Sequence, residues 1–212
     1  MEKEVIISPE ELYFLGSLMQ ANYIDYSYVA AMGDIQQNYA LFEKEAQANL
    51  VSAGLLMEDF SGNIELDAHA AALLRPIFFG EVETSVDVCT LLQDNPSVDV
   101  YKLHFHDGRI TLVTGEKNKL KLRSIDELGI DQLVNSLLPE GYSAPGGEVS
   151  DLKGATVSRV LSVKSAKIGG SSVVAAYLEA DGVIYQEREA KMVSIGAQQF
   201  ISDVSNIVKG VL

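Results

Sequence analysis

Few residues of this 212-residue chain have a type and spacing that could do chemistry. His104 and His106 lie two apart, which on a strand puts both imidazoles on one face, where they could bind a metal. No carboxylate or cysteine is spaced to complete that site, so the pair reads instead as solvent-facing strand residues. His69, beside a capping position, reads as structural or exposed. Cys89 could be a nucleophile, but it falls on an alternating strand with no identifiable base, and a small, partly buried residue is the better reading. Pro145-Gly146-Gly147 lacks the lysine and spacing of a P-loop, and no GxGxxG follows a strand. Acidic pairs such as Glu10-Glu11 and Glu58-Asp59 carry no specificity in so acidic a chain. No catalytic, cofactor or metal site is expected, and the chain reads as non-enzymatic.

Composition narrows the function further. Thirty acidic against 16 basic residues give a net charge of −14, which argues against a nucleic-acid ligand, because phosphate binding needs clustered Lys and Arg. A single cysteine excludes an intrachain disulfide and paired-Cys zinc sites, and fits a reducing compartment. Met1-Glu2-Lys3-Glu4 is not the start of a secretory signal. The most apolar window, Ala68 to Phe79, is broken by Arg75 and Pro76 and falls short of the about 20 residues a bilayer span takes, so no membrane insertion is expected. A cytoplasmic protein is the expectation.

The elements that must position any function centre on Val98 to Leu138. Tyr101, Leu103 and Phe105 alternate with Lys102, His104 and His106, the period of a strand with one buried face and one wet face. Asp107-Gly108 then predicts a type I′ hairpin turn, and Leu120 and Leu122 alternate with Lys119, Lys121 and Arg123 in a third strand. Those cations read as guards of a sheet edge, with an acidic partner as the other reading. Ser124 and Glu127 suggest a capping box for the helix that follows, ending near Leu138. A second Asp-Gly, Asp181-Gly182, comes 74 residues after the first (181 − 107), again followed by a strand and an apolar-striped helix through Phe200, Ile201, Val204, Ile207, Val208 and Val211. That is the signature of a degenerate internal duplication, although the second hairpin's most apolar face, Ala176, Leu178 and Ala180 with Val183 and Tyr185, runs one residue out of phase.

Before that centre, Ser8-Pro9-Glu10-Glu11 marks a helix start, with Leu12, Leu15 and Met19 as its stripe. Tyr23, Tyr26 and Tyr28 follow around Asp25, a cluster read as inter-helix packing or a groove lining. Ile35 to Leu50 reads as a helix, Leu55 to Leu66 as a small β-wing, Asp67 as a cap for the helix reaching Phe79, and Val82 to Cys89 as a strand. Helix, wing and helix suggest a winged-helix-like unit, but its candidate recognition helix, Leu41 to Val51, has Glu43, Lys44 and Glu45 and no arginine, so phosphate would repel it. Pro139, Gly141, Pro145, Gly146 and Gly147 mark a linker. The expected organisation is an N-terminal half at 1–140, a linker at 141–147 and a C-terminal half at 148–212, within one structural domain. Leu152, Val160 and Leu161 suggest a helix just past the linker.

Ile7-Ser8-Pro9-Glu10-Glu11-Leu12, the Leu50 to Leu55 stretch with Gly54, the Tyr101 to Val113 hairpin and the duplicated strand-helix halves resemble the EspG-type cytosolic chaperones of type VII (ESX) secretion. In length the chain is closer to the shorter Gram-positive, EsaE-like members. The resemblance implies an α+β fold with a central antiparallel sheet and quasi-twofold helical subdomains. It also implies a non-enzymatic role: binding a helical secreted substrate, keeping it soluble and delivering it to the secretion machinery. It implies no cofactor and supplies no contact residues. Two other classes stay open, a winged-helix-like regulator and an acidic immunity protein that neutralises a basic partner, the second supported by the charge alone.

Overall fold

The computed structural model describes residues 4–30, 32, 39–91 and 96–210. The elements in chain order are β1 (Val5–Ile7), α1 (Pro9–Leu18), α2 (Tyr26–Val29), α3 (Tyr39–Ser52), β2 (Leu56–Glu58), β3 (Ile64–Leu66), α4 (Ala68–Phe79) and β4 (Val82–Thr90). Then come β5 (Ser97–His106), β6 (Arg109–Glu116), β7 (Lys119–Ile125), α5 (Glu127–Ser136) and β8 (Val149–Ser150). The chain ends with β9 (Val157–Lys167), β10 (Ser172–Ala180), β11 (Val183–Arg188), β12 (Lys191–Ser194) and α6 (Ala197–Val208). Ten strands form one sheet in the order β1-β7-β6-β5-β4-β9-β10-β11-β12-β8, and β2 and β3 pair separately as the expected wing. Two compact units divide the chain: Met1–Glu81 with His104–Ser124, and Val82–Leu103 with Ile125–Leu212. The segment 141–147 therefore lies inside the second unit, and β5 contributes to both.

In the first unit, the capping box at α1 forms as its residues dictate. Ser8 Oγ accepts from Glu11 N at 3.1 Å, and Glu11 Oε2 accepts from Ser8 N at 2.8 Å. Asp67 caps α4 through Ala70 N at 2.9 Å. Leu12 and Leu15 of α1, Leu50 of α3 and Leu73, Leu74 and Ile77 of α4 pack with Val5, Ile7, Val113 and Leu122 into one core. The register Val5↔Leu122, Ile6↔Lys121, Ile7↔Leu120 puts Val5, Ile7, Leu120 and Leu122 on the helix side. Thr111 Oγ1 donates to Leu73 O at 2.8 Å, satisfying a buried hydroxyl where α4 meets β6. The helix expected from Ile35 is seen from Tyr39 to Ser52; Ile35 lies outside the described residues.

In the second unit, α6 lies on one face of the sheet. Phe200, Val204 and Val208 are fully buried, each contributing roughly 1.5–3 kcal/mol of transfer free energy. Phe200 meets Tyr177 edge to face at 5.0 Å, and Thr84 Oγ1 lies 3.4 Å from Val208 O as donor and 3.0 Å from Ser165 Oγ. Lys209 pairs with Asp131 of α5 at 2.9 Å.

Several sequence expectations are corrected. No helix follows the linker at Leu152 to Leu161: β9 occupies Val157–Lys167, a long central strand paired with β4 on one side and β10 on the other. A strand flanked on both edges, with β-branched Val157, Val160 and Val163, needs no strict alternation. Ser124 lies within β7 instead of capping α5, and Asp126 does the capping, accepting from Gly129 N at 2.8 Å. β1 pairs with β7 over Leu120–Leu122, so Lys121 lies on a paired stretch and not on a free sheet edge.

Both Asp-Gly turns form with both residues at positive φ: 47° and 70° at Asp107-Gly108, 49° and 77° at Asp181-Gly182. The most apolar stripe of the second hairpin is not its covered face. Tyr177, 74 residues after Leu103, is the residue of β10 turned under α6, while Ala176 and Leu178 face the other way. Glu179 shares the covered face with Tyr177 because Arg159, its partner across β9, meets it at 2.8 Å.

Candidate functional site

The register of the second unit builds a face that neither of its helices covers. Arg159 on the α6 side donates to Leu137 O at the end of α5, at 2.6 Å, and α5 pairs with α6, so both helices lie on one side. The opposite face presents Glu83, Ser85, Asp87 and Cys89 from β4. Across β9 and β10 it continues as the rows Ser85–Lys164–Val174, Asp87–Ser162–Ala176 and Cys89–Val160–Leu178–Tyr185. Lys102 pairs with Glu83 at 3.1 Å, which places Val98 and Val100 of β5 on the same side by strand alternation. Val174 is 59% exposed and Val98 62%, and Ala176 of β10 is exposed as well.

Two groups on this face could carry chemistry. Ser85 Oγ donates to Asp87 Oδ1 at 2.6 Å, and no imidazole stands near that pair in its strand rows. Cys89 is a free, half-buried thiol on the same strand. Small side chains, Ser162, Ala166 and Ala176, keep the centre flat, while valines and a leucine supply apolar contact. Lys164 and Asp87 add fixed charges. Such a mixture suits docking of a protein surface.

The histidines are elsewhere, and not as the period of two implies. His104 is 2% exposed, and its Nε2 lies 2.7 Å from Tyr28 Oη, so α2 of the first unit covers the strand at that point and His104 is not wet. His106 is half-buried, its Nε2 3.4 Å from an Asp107 carboxylate oxygen and its ring 6.5 Å from Phe79. No group of three potential metal ligands occurs among the described residues. The tyrosine cluster divides: Tyr28 packs inward, Tyr26 is 78% exposed, and Tyr23 lines a cleft of about 300 Å3 with Tyr13, Gly16, Ile24 and Val29. A void of about 10 Å3 between Tyr177, Arg159, Ile184 and Phe200 is too small for an organic ligand.

Sequence reasoning missed the open face because identifying it requires knowing that α5 and α6 share the other side. The one available signal was the second apolar stripe of β10, Ala176 and Leu178, which is what the open face displays.

The order and layering of elements define an α+β chain of the EspG-like fold, built on a large antiparallel sheet carrying helices. No family model and no curated protein matches the sequence. Among solved structures the chain is similar to the Mycobacterium tuberculosis type VII secretion system chaperone EspG5, in its complex with the PE25–PPE41 dimer. The TM-score is 0.66 at 11% identity, over 99% of this chain and 97% of that one. At that identity the likeness is one of fold. No described helix is long and apolar enough to cross a membrane.

Proposed function

We propose that this chain is a non-enzymatic chaperone or adaptor that binds a helical substrate of a type VII secretion system in the cytoplasm, keeps it soluble and hands it to the secretion machinery. The observation that carries this reading is the end-to-end fold likeness to a chaperone seen holding its PE25–PPE41 cargo. The open face of the second unit, with Val98, Val100, Val174, Ala176 and Leu178, is the surface we assign to the cargo. An apolar helical end would be shielded there from water. A chain of net charge −14 carrying such cargo stays soluble through self-repulsion.

Within the same reading, the chain is an EsaE-like member of the group and descends from a duplicated hairpin-strand-helix unit. The strand order supports the duplication: β4-β5-β6-β7 reads outward from one side of the β4·β9 pair as β9-β10-β11-β12 does from the other.

Co-expression with helical secretion candidates encoded beside it, followed by size-exclusion chromatography, tests this function. A stable complex that Val174→Asp with Val98→Asp abolishes, without loss of the free chain's thermal transition, is the expected result. Failure of every candidate to co-elute would overturn it. Sequence-selective duplex binding at physiological salt would replace it with a regulator.

A further inference from the structure

The most concentrated basic stripe of this acidic chain lies on the outward face of β7. Cross-strand partners share a face, so the register that sends Val5, Ile7, Leu120 and Leu122 into the core turns Ile6 and Lys121 the other way, with Lys119 and Arg123 two residues to either side. Lys119 and Arg123 are exposed, and neither has an ion pair among the described residues. Ile6 is 47% exposed in their midst. Protection of a sheet edge does not account for Lys121, since β1 already pairs with β7 over Leu120–Leu122.

The stripe already holds one carboxylate. Glu4, just before β1, reaches Lys121 at 2.7 Å in a pair that stays about one third exposed. That contact shows what the stripe accepts. Successive cations lie about 6.6 Å apart along the strand, the spacing of alternate side chains on any extended segment. An acidic residue at every second position therefore matches Lys119, Lys121 and Arg123 in turn, with one apolar side chain left to cover Ile6.

We propose that this outward face of β1 and β7 is a docking surface for an acidic, extended segment of a partner protein, which displaces Glu4 from Lys121. The other carboxylates of a chain with net charge −14 repel such a segment, so the stripe also orients its approach. A long polyanion is disfavoured by the same net charge, which a short peptide with three or four carboxylates feels far less. The assignment concerns the first unit and stands independently of the cargo face.

The test is fluorescence anisotropy with a labelled ten-residue peptide that alternates Glu with Val and Thr, beside its Gln-for-Glu counterpart, a ten-nucleotide oligo-dT and phosphatidylserine vesicles. Saturable binding of the Glu peptide alone is expected, weakening about tenfold as salt rises from low to several times physiological ionic strength. Lys119→Glu with Arg123→Glu should weaken binding at least about tenfold, and Glu4→Gln should tighten it a few-fold by freeing Lys121. Lys119→Gln with Arg123→Gln, which removes charge without reversing it, serves if the reversed variant loses its native circular dichroism. No saturable binding, equal binding of the Gln peptide, indifference to both double variants, or tighter binding of oligo-dT or vesicles through these residues would each overturn the proposal.

Discussion

Tyr28 Oη lies 2.7 Å from Nε2 of His104, two buried groups 76 residues apart in the chain. The contact pins the four-residue helix α2, too short to persist alone, to the strand that carries His104. Tyr28→Phe keeps the ring and removes the hydroxyl. It should destabilise the protein by about 1–2 kcal/mol, read as a lower urea midpoint at unchanged slope.

What the sequence could say about the fold follows from how local each signal is. The start of α1 was legible because Ser8, Pro9 and Glu11 act within one turn, and both hairpins because Asp-Gly tolerates positive φ. His104 was misjudged because whether a strand face is wet depends on what packs there, here a tyrosine far away in sequence. β9 was misread because its two neighbours, β4 and β10, supply the pairing that decides strand over helix. The open face of the second unit has the same origin: its residues are unexceptional, and only the common side taken by α5 and α6 leaves them uncovered.

Arg159 carries a second test. Its Nε and Nη2 bond Glu179 at 2.9 and 2.8 Å, and Nη2 also donates to Leu137 O. Both side chains are about four-fifths buried, at 20% and 17% exposure. Arg159→Met strands the Glu179 carboxylate on the covered face and should cost roughly 2–4 kcal/mol, with some relief from residual solvent. Arg159→Met combined with Glu179→Leu should recover most of that loss. Chemical denaturation of the four proteins gives the coupling, and additive losses would show that the pair does not act as a unit.

The wing between β2 and β3 turns on Asp59. Its carboxylate accepts from Ser61 N at 2.7 Å, Asn63 N at 2.9 Å and Asn63 Nδ2 at 2.8 Å, holding a loop that presents a fully exposed Phe60. These bonds, that of the Asn63 side chain foremost, lower its pKa below the usual 3.8. A lowered carboxyl stabilises above its unfolded value and loses that contribution as pH falls through the folded one. Loop order should therefore persist at pH 5 and fade in strong acid. Asp59→Ala should raise hydrogen exchange at Ser61 and Asn63 at neutral pH while leaving the global melting temperature nearly unchanged.

Tyr177 is 2% exposed, and its hydroxyl has no hydrogen-bond partner among the described residues. Burial pushes its pKa up to about 12, with the Asp203 carboxylate adding to the shift and Arg188 opposing it. A phenol whose folded pKa exceeds its unfolded value of 10.0 stabilises fully below that value, and the contribution drains away as pH rises toward the folded pKa. Stability should thus fall between pH 10 and 12 by an amount that Tyr177→Phe reduces. At neutral pH that variant removes an unsatisfied hydroxyl while keeping the ring against Phe200, so it should be neutral or up to about 1 kcal/mol more stable. Ultraviolet titration of the tyrosinates, repeated on the variant, identifies the late-ionising group. If the variant loses instead an ionisation near pH 10, the hydroxyl is solvated and the ring is not held under α6.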